Sequence, residues 1–464
     1  MSYVQDVRLA RDYVGKQVHE VPVPALILDR RKIHDNASKL LEAVSRQGIN
    51  FRVHVETLKA TEAVREALNH GRGCNAVVVS TLEEIRNLVS LVEEGVVTDV
   101  LYGTPIGRSQ AKELAYLKNL FANLGATLRF VVDNVSQVNF LLENSSSWSV
   151  LAKVDAIDLI RQSTETSNGT TNGTSDGKMT GTVNGRQASE QDGSNSAIDA
   201  TDTFTTEFQT LINTLVNEPR YHNVQLFGFY CHAGASCGTN DVSITQAHVD
   251  KELDMLIKAS RFARKVQETR QDRIIRKATL VGSNPDRVLT PSPHNTTYHL
   301  LIGATPTIHD FTKLPSRERM HSQDVVEFHA GSYLALDLRQ VSGDVSKDQI
   351  AVTVTGEVCS FHPTRREYII NVGVLALSRE SGFELPGIAH IRGVDDWIVT
   401  KVYQEYGVVS YVGKQANPKL PFEIGDLIEL YPQNACITSS NHRLYFVVDG
   451  SDTVVEIWKP WRYW

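Results

Sequence analysis

Short apolar stretches alternate with helical stretches in the first third of the chain, and this alternation restricts the possible folds more than any other feature. The strands predicted before residue 160 span 25–28, 51–55, 76–79, 97–102, 128–132 and 150–154. Between them, apolar side chains recur with the spacing of an amphipathic helix. Strands separated by helices pair in parallel through right-handed crossovers. Six such strands favour a (β/α)8 barrel over an open sheet.

The same pattern resumes further along the chain and stops near residue 320. Predicted strands at 225–230, 278–281 and 298–302, with a long helix at 242–268, complete the barrel. The residues beyond form short strands of alternating polarity with little helical periodicity, which is typical of an all-β domain. We therefore predict an N-terminal segment (1–20) that packs on the β domain, a barrel (21–320) and a C-terminal β domain (321–464).

Residues 162–203 interrupt the barrel pattern. They consist almost entirely of Ser, Thr, Asn, Gly, Asp and Gln, with hardly a large apolar side chain. Such a segment buries too little apolar surface to offset the entropy lost on ordering it. We predict a disordered surface insertion in the loop after the sixth strand.

Charge and cysteine content exclude several classes of function. The 464 residues carry a formal net charge of -7 with a pI near 6.1, so there is no basic excess and we expect no nucleic-acid partner. No apolar run resembles a signal peptide or is long enough to cross a bilayer, so we expect no membrane association. Five scattered cysteines without metal-finger spacing favour a reducing, cytoplasmic location.

Two predicted strand ends carry residues suited to chemistry. His54, Glu56 and Lys59 follow the strand at 51–55, and side chains at the end of a barrel strand project toward the face where active sites usually lie. The second candidate is the sequence GATPT at 303–307. Its small residues and hydroxyls, together with backbone N–H groups, can surround a phosphate.

Motifs in a consistent order extend along nearly the whole chain. They are HVETLKATE, DVLYGTPI, VVDN, AKVD, YCHAG, IGATPT, EFHAGSY, GVLALS, YQEYG and YPQNAC. Together they resemble the eukaryotic D-serine dehydratase and D-threonine aldolase family. That family has the alanine racemase-like fold, a fold type III pyridoxal phosphate barrel followed by a β domain. The resemblance implies the same architecture here, and a homodimer.

The resemblance assigns roles position by position. Where the family motif HVKTHKT carries the lysine that forms the Schiff base, this chain carries Glu56, and the second lysine of the motif matches Lys59. A carboxylate cannot form an imine, so the resemblance implies pyridoxal phosphate bound, if at all, without a covalent bond. The positions implied to hold the cofactor and its phosphate are Tyr230, His232, Gly303, Ala304 and Thr305.

The metal site of the family also differs in this chain. Family dehydratases hold zinc through a His-x-Cys pair in the β domain, and the matching residues here are Asn434 and Cys436. An amide oxygen is a poor zinc ligand, and one thiolate does not retain the ion. We therefore expect a degraded site without metal.

Three functions follow as alternatives. The first is a pyridoxal phosphate-dependent lyase that converts D-serine to pyruvate and ammonia, with Lys59 replacing the missing anchor. The second, which the residue changes favour, is a catalytically inactive paralogue that binds a D-amino acid or phosphate compound, or a protein partner. The third is a cofactor-free or metal-dependent enzyme in which Glu56 acts with His54 and His232.

Overall fold

The computed structural model describes residues 12–145, 147–155, 204–232, 242–280, 296–303, 315–342, 345–382, 384–415 and 418–462. Within these ranges, eight parallel strands close into a barrel, and a second, mainly antiparallel sheet forms a β domain. This architecture confirms the predicted fold class. The predicted insertion at 162–203 lies outside the described residues.

The first nine strands include all those of the barrel. They are β1 Ala25–Asp29, β2 Asn50–His54, β3 Ala76–Val79, β4 Asp99–Tyr102, β5 Thr127–Val132, β6 Trp148–Lys153, β7 Val224–Tyr230, β8 His299–Ile302 and β9 Val325–Ala330. Strands β2 to β9 pair in order, and β9 closes the barrel by pairing in parallel with β2. All eight therefore end at the same face, which we call the barrel mouth.

Helices cover the outside of the barrel. They are α1 Arg30–Arg46, α2 Thr61–Ala67, α3 Leu82–Glu93, α4 Ala111–Asn123, α5 Val135–Leu142, α6 Thr206–Asn217 and α7 Val242–Leu280. In α3, Thr81 caps the first turn by accepting a hydrogen bond from the Glu84 backbone, and Ile85, Leu88 and Leu91 are fully buried, as helical spacing requires. None of the helices among the described residues combines the length and apolarity that a bilayer crossing requires.

Two predicted barrel strands are corrected. The strand at 25–29 lies in the β domain, where it pairs with strands of that sheet, and residues 278–280 continue helix α7. The eighth barrel strand is instead Val325–Ala330, which we had assigned to the β domain. A short apolar run gives no periodicity that separates one buried sheet from another, or a strand from the end of a helix. The predicted barrel range 21–320 is thus wrong at both ends.

The β domain combines β1 with eight later strands and a short helix. They are β10 Val352–His362, β11 Glu367–Ile370, β12 Ala389–Ile391, β13 Val394–Val402, β14 Gly407–Tyr411, β15 Leu427–Pro432, β16 Tyr445–Val448, β17 Val454–Trp458 and α8 Ala435–Asn441. The strand order is β11-β14-β13-β12-β15-β10-β1-β16-β17, and β11 also pairs with β10. Strand β10 is long enough to pair with β1 and β15 near its start and with β11 near its end.

The described part of the N-terminal segment lies on this sheet. Gly15 donates a backbone hydrogen bond to Val454 at 2.8 Å. Val18 and Val21 pack with Val448 and Val454 in a small apolar cluster. Burial of these side chains anchors the segment on the β domain.

A network of charged side chains fills the barrel interior on the side away from the mouth. The Arg52 side chain, 2% exposed, donates to Glu327 at 2.5 Å and to Asp99 at 2.8 Å. Arg129 lies 3.0 Å from Asp99 and its guanidinium stacks 3.6 Å over the Phe227 ring. Although burial raises the pKa of Glu327, the charge and hydrogen bond of Arg52, together with those of His299, outweigh it and lower that pKa to about 2. Arg52 therefore ties three strands together as a paired, buried cation.

We predict that Arg52→Met lowers the free energy of unfolding by about 3–5 kcal/mol, because the buried Glu327 loses its guanidinium partner and keeps only the His299 ring, 3.7 Å away. Denaturation in urea measures the change. Arg46→Met is the control, since the Arg46 and Glu42 side chains are 77% and 66% exposed and such pairs contribute less than about 1 kcal/mol. Equal losses in both variants would contradict the structural role of Arg52.

Candidate active site at the barrel mouth

The turn after β2 carries the first predicted site residue. Val55–Thr57 form a 3-10 turn in which Val55 and Thr57 are buried, because the chain must pass between the barrel and helix α8. Glu56, between them, faces outward with its side chain 47% exposed. Its Oε2 lies 3.9 Å from Nδ1 of His54, too far for a hydrogen bond. The mouth thus carries a carboxylate at the position where the resembled family has its Schiff-base lysine.

Lys59 is held by a different part of the fold. Its Nζ lies 2.8 Å from Oε1 of Glu84, whose side chain is 1% exposed. The other oxygen of Glu84 accepts from the Ser80 backbone at 2.6 Å. The Lys59 backbone lies in the left-handed region, with φ 48°. Releasing Lys59 from this pair would leave the buried carboxylate of Glu84 without its cation, which is costly.

Four ring side chains meet at the mouth. The rings of Tyr230 and His329 stack with centroids 4.9 Å apart and planes 13° apart. His232 and His54 lie 5.6 and 6.4 Å from the same His329 ring. His232 Nδ1 lies 2.8 Å from the Gly303 carbonyl. The structure therefore brings together Tyr230, His232 and Gly303, whereas Ala304 and Thr305 of the predicted phosphate turn lie outside the described residues.

Burial shifts the pKa values of three of these rings. It lowers the pKa of His329 well below the usual histidine value, and nearby His232 and His54 lower it further. It also lowers the pKa of His232. The pKa of Tyr230 is raised by burial and then by the charge of Glu56. At neutral pH the rings of His232 and His329 are consequently neutral and the Tyr230 phenol is protonated.

His329 belongs to the mouth although it was not among the predicted site residues. The motif EFHAGSY contains it, but that motif falls within the predicted β domain and not within the predicted barrel. A signal was present in the sequence: His232 and His329 are each followed by Ala-Gly directly after an apolar strand. Two strands of one barrel that end in the same tripeptide place both histidines at the same face.

The metal-dependent alternative proposed that His54, Glu56 and His232 share an ion. Among the residues that the structure describes, no three His, Cys, Asp or Glu side chains form a group that could hold a metal. His232 also engages its Nδ1 with the Gly303 carbonyl. The described geometry gives the metal-dependent version no support. The cofactor-free version, with Glu56 as a base, stays a prediction.

The predicted metal pair lies at the start of helix α8. Asn434 caps the helix by accepting from the Ile437 backbone at 3.0 Å, and its amide nitrogen donates to Glu380 at 2.6 Å. Cys436 Sγ lies 3.2 Å from the Thr57 hydroxyl. Burial raises the pKa of Cys436 to about 12, so the thiol is protonated at neutral pH. Neither residue presents a free metal-binding atom.

These residues do not fit the groups that the resemblance implies. A covalently held pyridoxal phosphate needs an available amine, and at the two positions that match lysines of the family motif the structure has Glu56 and a Lys59 paired with Glu84. Zinc in the family needs an imidazole beside the cysteine sulfur, and the corresponding group here is the Asn434 amide, which is already engaged in hydrogen bonds, so that Cys436 is left as a single strong ligand. No reaction step through either group follows from this arrangement.

Comparison with known proteins gives relatives along the whole chain. Residues 351–448 match the family model described as a putative serine dehydratase domain. The chain is 29% identical to the D-serine dehydratase of Schizosaccharomyces pombe, over 99% of this chain and 96% of that protein. It is 26% identical to the D-serine dehydratase of Saccharomyces cerevisiae, over 97% and 98% of the two chains.

A solved structure shares the fold. The D-threo-3-hydroxyaspartate dehydratase from Delftia sp. HT23 superposes with a TM-score of 0.69 at 20% identity, covering 97% of this chain and 100% of that one. At this identity the likeness concerns the fold. It supports the alanine racemase-like assignment of barrel plus β domain.

We predict that acid destabilises the protein partly through His329. Between its lowered folded pKa and the unfolded value of about 6.5 the unfolded chain binds more protons, so stability falls as pH decreases, by up to about 2 kcal/mol per histidine at pH 5. His329→Phe keeps a ring against Tyr230 and removes this titration. Urea denaturation at pH 7.5 and pH 5 should show a smaller acid loss in His329→Phe than in the wild type.

Substitution of a surface histidine is the control, because it shows whether the loss of any histidine side chain changes the acid sensitivity. The His34 side chain is 56% exposed, so His34→Gln should retain the acid loss of the wild type. If His329→Phe retains it equally, His329 is not held neutral in the mouth.

Proposed function

Because this chain is a divergent member of the eukaryotic D-serine dehydratase family, we propose that its barrel mouth binds a small D-amino acid or phosphate compound without the covalent pyridoxal phosphate chemistry of a lyase. This proposal rests on the identity and contacts of two residues in the turn after β2. Glu56 stands at the Schiff-base position, and Lys59 is bound to the buried Glu84.

The loss of the imine follows from elementary chemistry. Pyridoxal phosphate, when bound through a lysine, supplies an electron sink for bonds at the amino acid α-carbon. An imine requires a free amine, which a carboxylate lacks. Lys59 would have to leave an ion pair whose partner is 1% exposed, and a buried unpaired carboxylate is strongly unfavourable.

What remains at the mouth favours a ligand with an ammonium group. Glu56 places a half-exposed carboxyl group at the mouth, whereas burial lowers the pKa of His232 and of His329 and keeps both rings neutral. The Glu56 carboxylate can accept hydrogen bonds from an ammonium, and the Tyr230 hydroxyl can donate to a ligand oxygen. This distribution favours the amino acid over the phosphate compound as the ligand.

A working lyase is the second candidate. It is favoured by the similarity to D-serine dehydratases over almost the entire chain and by a lysine, Lys59, in the same turn as Glu56. In this case Lys59 exchanges its ion pair with Glu84 for the cofactor. The two candidates predict different covalent chemistry at Lys59.

We predict that the wild type gives no covalent adduct when it is incubated with pyridoxal phosphate and reduced with borohydride, apart from exposed lysines that a denatured control labels equally. It should also release no pyruvate or ammonia from D-serine. Glu56→Lys restores an amine at the mouth and should give an absorbance band of an internal aldimine, with the adduct at position 56. Peptide mass spectrometry locates the adduct.

Lys59→Arg separates the two candidates, because it keeps the charge that pairs with Glu84 and removes the primary amine. An adduct at Lys59 in the wild type, with D-serine turnover that Lys59→Arg abolishes, would replace the binding proposal by the lyase.

The proposal includes a homodimer, supported by an exposed apolar patch on the β domain. Leu375, Tyr403 and Tyr406 are 54%, 49% and 40% exposed. The rings of Tyr403 and Tyr406 stack with centroids 4.6 Å apart, and Leu375 donates a backbone hydrogen bond to Gln404. Contiguous apolar surface of this kind is typical of a protein interface.

We predict a molar mass of two chains in light scattering, and a shift toward one chain in Leu375→Glu, which places a charge in the patch. Val455→Glu is the control, because Val455 is 39% exposed and lies outside the patch. A monomeric wild type would contradict the dimer, and an unchanged mass in Leu375→Glu would remove the patch as its interface.

A further inference from the structure

Charged side chains surround Asn434 where helix α8 begins. We call the group Asp337, Arg339, Glu380, Asn434 and Cys436 the arginine corner. Arg339 Nη1 lies 3.1 Å from Glu380 Oε2, and Nη2 lies 3.5 Å from Asp337 Oδ2. The Asn434 amide donates to the same Glu380 oxygen at 2.6 Å. One guanidinium therefore bridges two carboxylates beside the predicted metal pair.

The same groups also hold the first turn of α8. Asp337, whose side chain is fully buried, accepts from the Ala435 backbone at 2.9 Å. Asn434 accepts from the Ile437 backbone at 3.0 Å. Both oxygens thus satisfy donors of the helix start, which otherwise lack intrahelical partners.

The charge balance of the corner requires a cation. Asp337 and Glu380 lie on either side of the Arg339 guanidinium, which balances the charge of both; the Asp337 side chain is fully buried, whereas those of Arg339 and Glu380 are 33% and 39% exposed. The guanidinium is planar and delocalised, and it keeps its charge under all ordinary conditions. A divalent ion at this point would meet the like charge of Arg339 and find both carboxylates already engaged.

We propose that Arg339 takes the place of the metal ion, so that the corner excludes zinc even when a histidine is restored at position 434. The inference does not rest on the proposed function, because it concerns the β domain corner and requires no ligand at the mouth. It goes beyond the loss of one ligand residue, because the Arg339 guanidinium supplies the positive charge that a metal ion would otherwise supply.

The proposal predicts different zinc binding for Asn434→His alone and for Asn434→His combined with Arg339→Gln. Asn434→His supplies an imidazole beside Cys436, but Arg339 still holds Glu380 and Asp337. Arg339→Gln removes the charge and shortens the side chain while retaining an amide donor, and it releases the two carboxylates. Only the two substitutions together offer imidazole, thiolate and carboxylate, the ligand types that zinc prefers.

The experiment compares the full-length wild type, Asn434→His, Arg339→Gln and the double variant Asn434→His with Arg339→Gln. Each protein is equilibrated with zinc chloride, freed of excess metal, and analysed for retained zinc and for its melting temperature with and without EDTA. We expect stoichiometric zinc and an EDTA-sensitive rise in melting temperature in the double variant, and neither change in the wild type or in Asn434→His.

Zinc retained by the wild type or by Asn434→His would overturn the proposal, as would a folded double variant that retains none. Circular dichroism establishes the folding of each variant. Should Arg339→Gln prevent folding, Asn434→His with Arg339→Lys keeps the positive charge and still decides the matter. This variant should exclude zinc, and retention of the ion would show that the charge at 339 is not what excludes it.

Discussion

The contact between the turn after β2 and helix α8 is the interaction on which the rest of the site depends. The Ser439 hydroxyl donates to the Thr57 carbonyl, the Tyr445 hydroxyl donates to the Leu58 carbonyl at 2.9 Å, and Cys436 lies against Thr57. These bonds satisfy buried backbone groups of a non-repetitive turn, which would be costly to leave unpaired. They fix Glu56 on one side of the interface and the arginine corner on the other.

The packing of the barrel does not depend on which residues line its mouth. The barrel strands, their crossover helices and the buried pairing of Arg52 with Glu327 and Asp99 need no particular residue at the mouth. The reactive positions have instead acquired charges that are balanced locally. Lys59 neutralises Glu84 and Arg339 bridges Asp337 and Glu380.

Glu56 differs from these paired charges. Its carboxylate is half exposed at the mouth, and its contact with His54 is longer than a hydrogen bond. An exposed carboxylate among neutral rings costs little stability, because water still solvates it. Its carboxylate is therefore accessible to a ligand. The charged groups of the described ion pairs nearby are instead bound to each other.

The sequence predicted the class of fold and, through the family resemblance, proposes positions where the chemistry differs, but it does not show the contacts around those positions. Alternation of strands and helices indicates a closed barrel, yet it cannot show that the strand at 25–29 belongs to the other sheet. Motif positions identify Glu56 and Asn434. The partners of Lys59 and of Arg339 lie 25 and 41 residues away, Glu84 and Glu380, and many carboxylates are equally distant in sequence. Such pairs are determined by topology, so only the folded structure shows them.

The central claim is that Glu56 has converted a covalent cofactor anchor into a group that receives an ammonium. Calorimetric titration of D-serine into the cofactor-free wild type and into Glu56→Gln tests it most directly, because the glutamine keeps the shape of the side chain and removes its charge. The account predicts binding to the wild type that weakens at least about tenfold in Glu56→Gln, the effect of losing a charge-assisted hydrogen bond of about 1.5–3 kcal/mol. Equal affinity of the two proteins for D-serine, or binding that requires pyridoxal phosphate, would contradict it.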